Sequence, residues 1–141
     1  MLQGIIMTSA PPLTIAVGSD HAGPALKALL ADSLREAGHT VLDLGTDGPA
    51  SVDYPDFAHA VCRAVEQGQA RFGLLICGTG LGMSIAANRH GGIRCALCTD
   101  ASTARLSREH NDANVLALGA RIVGDVLALD ILAAFLATAY A

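Results

Sequence analysis

The chain has 141 residues, 52% of them apolar and 16% charged, with a net charge of −4, no Trp and a single lysine, Lys27. That length suits one domain. The charge balance, without any clustered Lys/Arg run, excludes a general nucleic-acid binder, which carries a basic patch. No segment reaches the length of a membrane-spanning helix, and residues 1–13 lack the basic start of a signal peptide. The expectation is a flexible leader over residues 1–12 and one domain over 13–141. The protein is expected in the cytoplasm, with its four cysteines reduced. So apolar a chain also suggests that some of its surface is covered by another subunit.

Strand and helix patterns alternate throughout. Residues 13–18 form an apolar run with β-branched members, and 24–37 have helical spacing (Leu26, Leu29, Leu30, Leu34) with Gly38 as a stop. Residues 40–44 read as a second strand, followed by a turn-rich loop over 45–53. Residues 55–67 are helical, with Pro55 in the first turn, where its missing N–H costs nothing. Strands follow over 72–76, 93–98 and 115–118. Helices are expected over 81–88, 101–109 and 123–140. This α/β alternation predicts a parallel sheet with helices on both faces. In such sheets ligands bind beyond the carboxyl ends of the strands. Those ends carry Ser19-Asp20-His21, Gly45-Thr46-Asp47, Cys77-Gly78-Thr79 and Thr99-Asp100, with Gly119-Ala120-Arg121 after the last strand.

The segment Leu74-Leu75-Ile76-Cys77-Gly78-Thr79-Gly80-Leu81-Gly82 is the most informative. A buried-type strand ends on a thiol, and alternating glycines lead into a helix. Backbone N–H groups of such a loop can face an anion, and their dipoles favour a thiolate. A nucleophile or base beside an oxyanion cradle is the chemistry permitted; a buried structural cysteine is the other reading. The glycines match neither GxGxxG nor a Walker loop, which disfavours nucleotide binding. Cys95-Ala-Leu-Cys98 is a CxxC, but in a strand its two thiols point to opposite faces, against a metal or disulfide role.

Gly18-Ser19-Asp20-His21-Ala22-Gly23, Asp53-Tyr54-Pro55, the stretch from Cys77 to Asn88, and Ser107-Arg108-Glu109-His110-Asn111-Asp112-Ala113-Asn114 occur in this order. Together they resemble the type B ribose-5-phosphate isomerases, a family with galactose-6-phosphate and allose-6-phosphate isomerase branches. The resemblance runs from about residue 13 to 141. It implies a Rossmann-like α/β/α sandwich with a five-stranded parallel sheet. It also implies aldose–ketose isomerisation of a sugar phosphate, with no metal or organic cofactor. The assembly it implies is a homodimer or homotetramer with the active site at the subunit interface. Carried over, Cys77 resembles the base moving a proton between C1 and C2, and Thr79 a helper hydroxyl. The amides around Gly78, Gly80 and Gly82 resemble the anion hole. Asp20 and His21 resemble contacts to sugar or phosphate, Tyr54 a pocket wall and Arg121 a phosphate-binding arginine. His110 resembles the ring-opening acid/base, with Asn111 beside it, both donated by the partner subunit.

Each residue also has a structural reading. Asp20 and His21 suit a helix start, and His110-Asn111 a helix C-terminus. Tyr54 suits packing beside Pro55, and Arg121 a surface ion pair. The family usually continues into a Gly-Gly-Arg-His segment with further arginines, and this sequence ends at Ala139-Tyr140-Ala141. The expectation is weakened phosphate affinity or another sugar phosphate (allose, galactose or erythrose phosphate). A non-catalytic sugar-phosphate-binding module is the alternative class.

Overall fold

The computed structural model describes residues 11–46 and 53–141. Its strands are β1 (Thr14–Ser19), β2 (Thr40–Asp43), β3 (Phe72–Cys77), β4 (Cys95–Leu97) and β5 (Val115–Gly119). Its helices are α1 (Pro24–Glu36), α2 (Tyr54–Glu66), α3 (Leu81–Ala87), α4 (Ala101–Asn111) and α5 (Asp125–Ala137). All strand pairs are parallel, in the order β2-β1-β3-β5-β4.

Side-chain alternation along the strands sorts the core into two layers. Ile15, Val17, Leu74, Ile76, Leu116 and Leu118 face α1, α4 and α5, where Leu30, Leu34, Ala104, Ile131 and Phe135 complete one cluster. Ala16, Leu75, Cys77, Val115 and Ala117 face α2 and α3, against Val61, Cys62, Met83 and Ala87. Both faces of the sheet are covered, which is why the central strands read as unbroken apolar runs. The chain is thus the expected α/β/α arrangement.

Two elements are shorter than the sequence pattern suggests. The fourth strand covers Cys95–Leu97 rather than 93–98. It is an edge strand whose N-terminal flank is bonded sideways: the Arg94 N–H donates to Asn114 Oδ1 at 2.8 Å. The last helix covers Asp125–Ala137 rather than 123–140. It ends where Arg108 Nε captures the Thr138 carbonyl at 3.1 Å. Its apolar residues serve this chain's own core. Ala128, Ile131, Leu132, Phe135 and Leu136 are buried, leaving Val126 and Leu127 exposed. The CxxC behaves as its strand geometry requires: Cys98 joins the first cluster and Cys95 packs on the second.

The direction of the strand order reverses between β1 and β3. β1 leads outward to β2, whereas β3 leads to β5 and β4 on the other side. The carboxyl ends of β1 and β3 therefore flank the crevice in which open α/β sheets bind ligands. Asp20 and Cys77 stand at those two ends.

Candidate active site

At this crevice the chain is tied together by its own backbone. The Asp20 N–H donates to the Ile76 carbonyl at 3.1 Å, joining the β1 exit to β3. Asp20 is buried and its Oδ1 accepts the Ala22 N–H at 2.9 Å. It shapes its own turn rather than capping α1, whose N-cap is Gly23 without a side-chain bond. His21 stands exposed on the rim. Gly23 packs tightly beneath it: a Cβ there would lie 2.7 Å from Ile76 Cγ2.

Cys77 ends β3 on the α2/α3 face and is buried. The Gly80 N–H donates to its Sγ at 3.1 Å. Gly80 has φ 81°, a left-handed conformation that suits glycine, and this turns the loop back so that its amide meets the sulfur. Thr79 Oγ1 accepts the Leu81 N–H at 3.2 Å. Of the amides expected as an anion cradle, those of Gly80 and Leu81 are thus engaged within the loop. Tyr54, the first residue of α2, lays its ring against Gly82, where a Cβ would come within 2.8 Å of Tyr54 Cε1.

The exit of β5 closes the site from the other side. The Ala120 N–H donates to the Cys77 carbonyl at 2.8 Å, and the Arg121 N–H to the Gly78 carbonyl at 2.9 Å. The Arg121 guanidinium crosses Gly78, with Nη1 3.2 Å from where a Cβ would stand. Gly119 packs on the main chain of Thr79, and a Cβ there would be 2.6 Å from the Thr79 carbonyl oxygen. In the sequence Gly119 marks only the end of a strand; its close approach to Thr79 is the kind that a glycine closing a strand permits.

Asp20, His21, Tyr54, Cys77, Gly78, Thr79, Gly80, Gly82 and Arg121 therefore share one rim. His110 and Asn111 do not. They end α4, just before β5 begins, and the Asn114 carbonyl accepts from Gly73 at the start of β3. Four residues of strand, roughly 13 Å, separate that end of β3 from Cys77. Both residues are exposed there. The left-handed C-cap of α4 is Asp112 (φ 50°), not Asn111. A cleft of about 500 Å³ also opens at this amino-terminal end, between Leu13, Val65, Gln69, Arg71 and Asn114, and holds neither the rim residues nor His110 and Asn111.

The other cysteines lie in less hospitable surroundings. Burial pushes the Cys62 thiol up to about 12, aided by the Glu66 charge. Burial likewise pushes Cys98 up to about 11, aided by Asp100. Among the described residues no cluster of His, Cys, Asp and Glu could hold a metal ion, and no helix is long and apolar enough to cross a membrane.

Residues 15–141 match the model of the family described as Ribose/Galactose Isomerase. The chain belongs to the ribose/galactose isomerase family. Ribose-5-phosphate isomerase B of Escherichia coli K12 is 48% identical over 126 residues, covering 89% of this chain and 85% of the relative. D-erythrulose-4-phosphate isomerase of Pectobacterium atrosepticum is 43% identical over 125 residues, covering 88% and 82%. The solved structure of ribose-5-phosphate isomerase B from Clostridium thermocellum is 55% identical, with a TM-score of 0.89 over 90% of this chain and 86% of that one. The family is one of sugar-phosphate isomerases with this five-stranded α/β fold. The rim at Cys77 is where this member's chain gathers its polar groups.

Proposed function

We propose that this chain interconverts D-ribose 5-phosphate and D-ribulose 5-phosphate through a cis-enediolate. The observation carrying this reading is Cys77 Sγ at the strand end, met by the Gly80 amide, with Thr79 in the same loop and Arg121 crossing Gly78 from the exit of β5. As thiolate, Cys77 takes the C2 proton of the open-chain aldose while O1 gains a proton. The proton returns to C1 as O2 loses its own, giving the ketose. The loop amides of Gly78, Thr79 and Gly82, which are not taken up by the bonds at Gly80 and Leu81, serve the developing oxyanion in this reading. Thr79 assists at the reacting oxygens, and Asp20 and His21 hold sugar or phosphate oxygens. Tyr54 walls the pocket, and Arg121 grips the phosphate with its planar fork.

His110 and Asn111 stand at the far end of their own subunit, so in this reading they serve the crevice of a second copy. There His110 opens the furanose ring. Such sharing makes a homodimer the minimal active unit, and pairing of dimers into a homotetramer is compatible with it. The enzyme then works in the cytoplasm, where its cysteines stay reduced.

The test is incubation with ribose 5-phosphate in deuterated buffer, followed by NMR. Ribulose 5-phosphate formation with deuterium uptake at C2 is the expected result, and Cys77→Ala should lose both while keeping its fold. Ligand-dependent thermal stabilisation without exchange would instead mean a binding module. Turnover of a tetrose or hexose phosphate in preference to the pentose would reassign the substrate within the family's chemistry.

A further inference from the structure

Outside the Cys77 rim, three titratable side chains form a chain of hydrogen bonds. Glu66, the last residue of α2, accepts the Gly92 N–H on Oε2 at 3.1 Å and faces His90 Nδ1 through Oε1 at 3.0 Å. These two bonds hold its carboxyl below the usual carboxylate range. His90 Nε2 in turn stands 2.7 Å from His59 Nδ1, one helix face back along α2. With Glu66 ionised, His90 must carry its proton on Nδ1. When both rings are neutral, His59 therefore donates from Nδ1 to His90 Nε2. The nitrogen left open on His59 is then Nε2, with a lone pair.

His59 lines a cavity of about 150 Å³ together with Tyr54, Pro55, Ile85, Ala86 and Arg89. Arg89 differs from four other arginines of this chain. Arg35, Arg94, Arg105 and Arg108 each pair with a carboxylate. Arg89 has no such partner among the described residues, and the acid nearest in the network, Glu66, is already taken by His90 and Gly92. The charged and titratable groups around the cavity are thus Arg89, His59 and Tyr54, backed by His90 and Glu66.

We propose that this cavity, which adjoins the Cys77 rim at Tyr54 but contains neither Cys77 nor Arg121, is a second anion site for a protonated oxyanion of the phosphate class. Arg89 supplies the charge and a two-pronged donor. His59 supplies the position for one shared proton. Its Nε2 accepts from the P–OH of the ligand, or takes that proton and donates it back, with His90 and Glu66 fixing the ring. An oxyanion without a proton, such as sulfate, meets the lone pair unfavourably unless His59 is first protonated. Phosphate should therefore be preferred to sulfate while both rings are neutral.

The probes are inorganic phosphate, methyl phosphate and sulfate, titrated into the intact protein while the His59 and His90 ring signals are followed by NMR. Saturable movement of both rings with phosphate is expected, with at least tenfold weaker response to sulfate. Arg89→Ala, at an exposed position, should weaken phosphate at least tenfold with its backbone spectrum retained. Arg121→Ala should leave the response in place. A comparable response to methyl phosphate near pH 6, where the ester still carries a P–OH, assigns the site to phosphate esters, and its absence there assigns it to the free ion. Movement that survives Arg89→Ala, vanishes with Arg121→Ala, or never saturates would overturn the proposal.

Discussion

Arg121 lies across Gly78: its backbone N–H holds the Gly78 carbonyl at 2.9 Å while its Nη1 passes 3.2 Å from the place a Cβ would occupy. The loop that carries Cys77 and the residue read as the phosphate grip are thereby one unit, built on the adjacent strands β3 and β5. Displacing either end moves the other.

That contact predicts a split between affinity and turnover. Gly78→Ala must push the flexible end of Arg121 aside by a few tenths of an ångström, without backbone collision. Its Michaelis constant should rise severalfold, with the melting temperature nearly unchanged. Arg121→Ala removes the guanidinium and with it a charge-assisted bond worth about 1.5–3 kcal/mol, or roughly a 10- to 100-fold loss in kcat/KM. Steady-state kinetics and thermal melts on both variants check this. An unaltered Michaelis constant in Arg121→Ala would remove it from the phosphate site.

Most of the fold was readable because each central strand is an apolar run bounded by glycine or a polar turn. The rim was readable because Asp20, Cys77 and Arg121 each follow such a run. Three things were not. The β2-β1-β3-β5-β4 order depends on which crossover covers which face, and local pattern does not encode that. The contact of Gly119 with Thr79 joins loops of separate strands. His59 and His90 are 31 residues apart, and each alone reads as an ordinary surface histidine; only the packing of α2 beside α3 brings them together. The turn-rich loop expected over 45–53 falls, at residues 47–52, outside the described part of the chain.

The pair Lys27–Asp43 predicts a specific acid sensitivity. Lys27 is buried, and its Nζ reaches both Asp43 oxygens at 2.7 Å. Asp43 Oδ1 also accepts the Gly45 N–H at 3.0 Å, and the Gly45 carbonyl accepts from Ser19, next to Asp20. Burial pushes the Asp43 carboxyl up, but the bonds from Lys27 and Gly45 and the nearby positive charges outweigh it and hold it below its usual value. A carboxyl depressed in the folded state adds stability that is complete above its unfolded value, about 3.9, and is lost as pH falls through the folded one. Asp43→Asn should therefore be less stable than wild type at pH 7. The loss should fall below the roughly 3–5 kcal/mol of a fully buried pair, because Asp43 is one-third exposed and solvent screens it. The gap between the two proteins should begin to close below about pH 4 and vanish only once pH has fallen through the lower, folded value. Urea midpoints measured from pH 3 to 7 decide it, and a gap independent of pH would detach the effect from this ion pair. Because the same carboxylate anchors Gly45, the variant should also raise the Michaelis constant.

Thiol chemistry separates the four cysteines. Burial sets Cys62 and Cys98 at about 12 and 11, so at pH 8 almost none of either is thiolate. Cys95 is raised for the same reason, by burial first and then by Cys62 and Cys98. Cys77 stands at the end of β3 on the rim, where the proposed reaction would bring the substrate carbon. Iodoacetamide at pH 8 should label Cys77 first, and loss of activity should follow incorporation of one label. Sugar phosphate should slow the reaction, and Cys77→Ser should abolish early labelling while Cys62→Ser and Cys98→Ser leave it unchanged. Peptide mapping by mass spectrometry reads the order directly. If Cys95 or Cys98 is modified ahead of Cys77, or if full labelling of Cys77 leaves turnover intact, the proton-transfer role belongs to another residue.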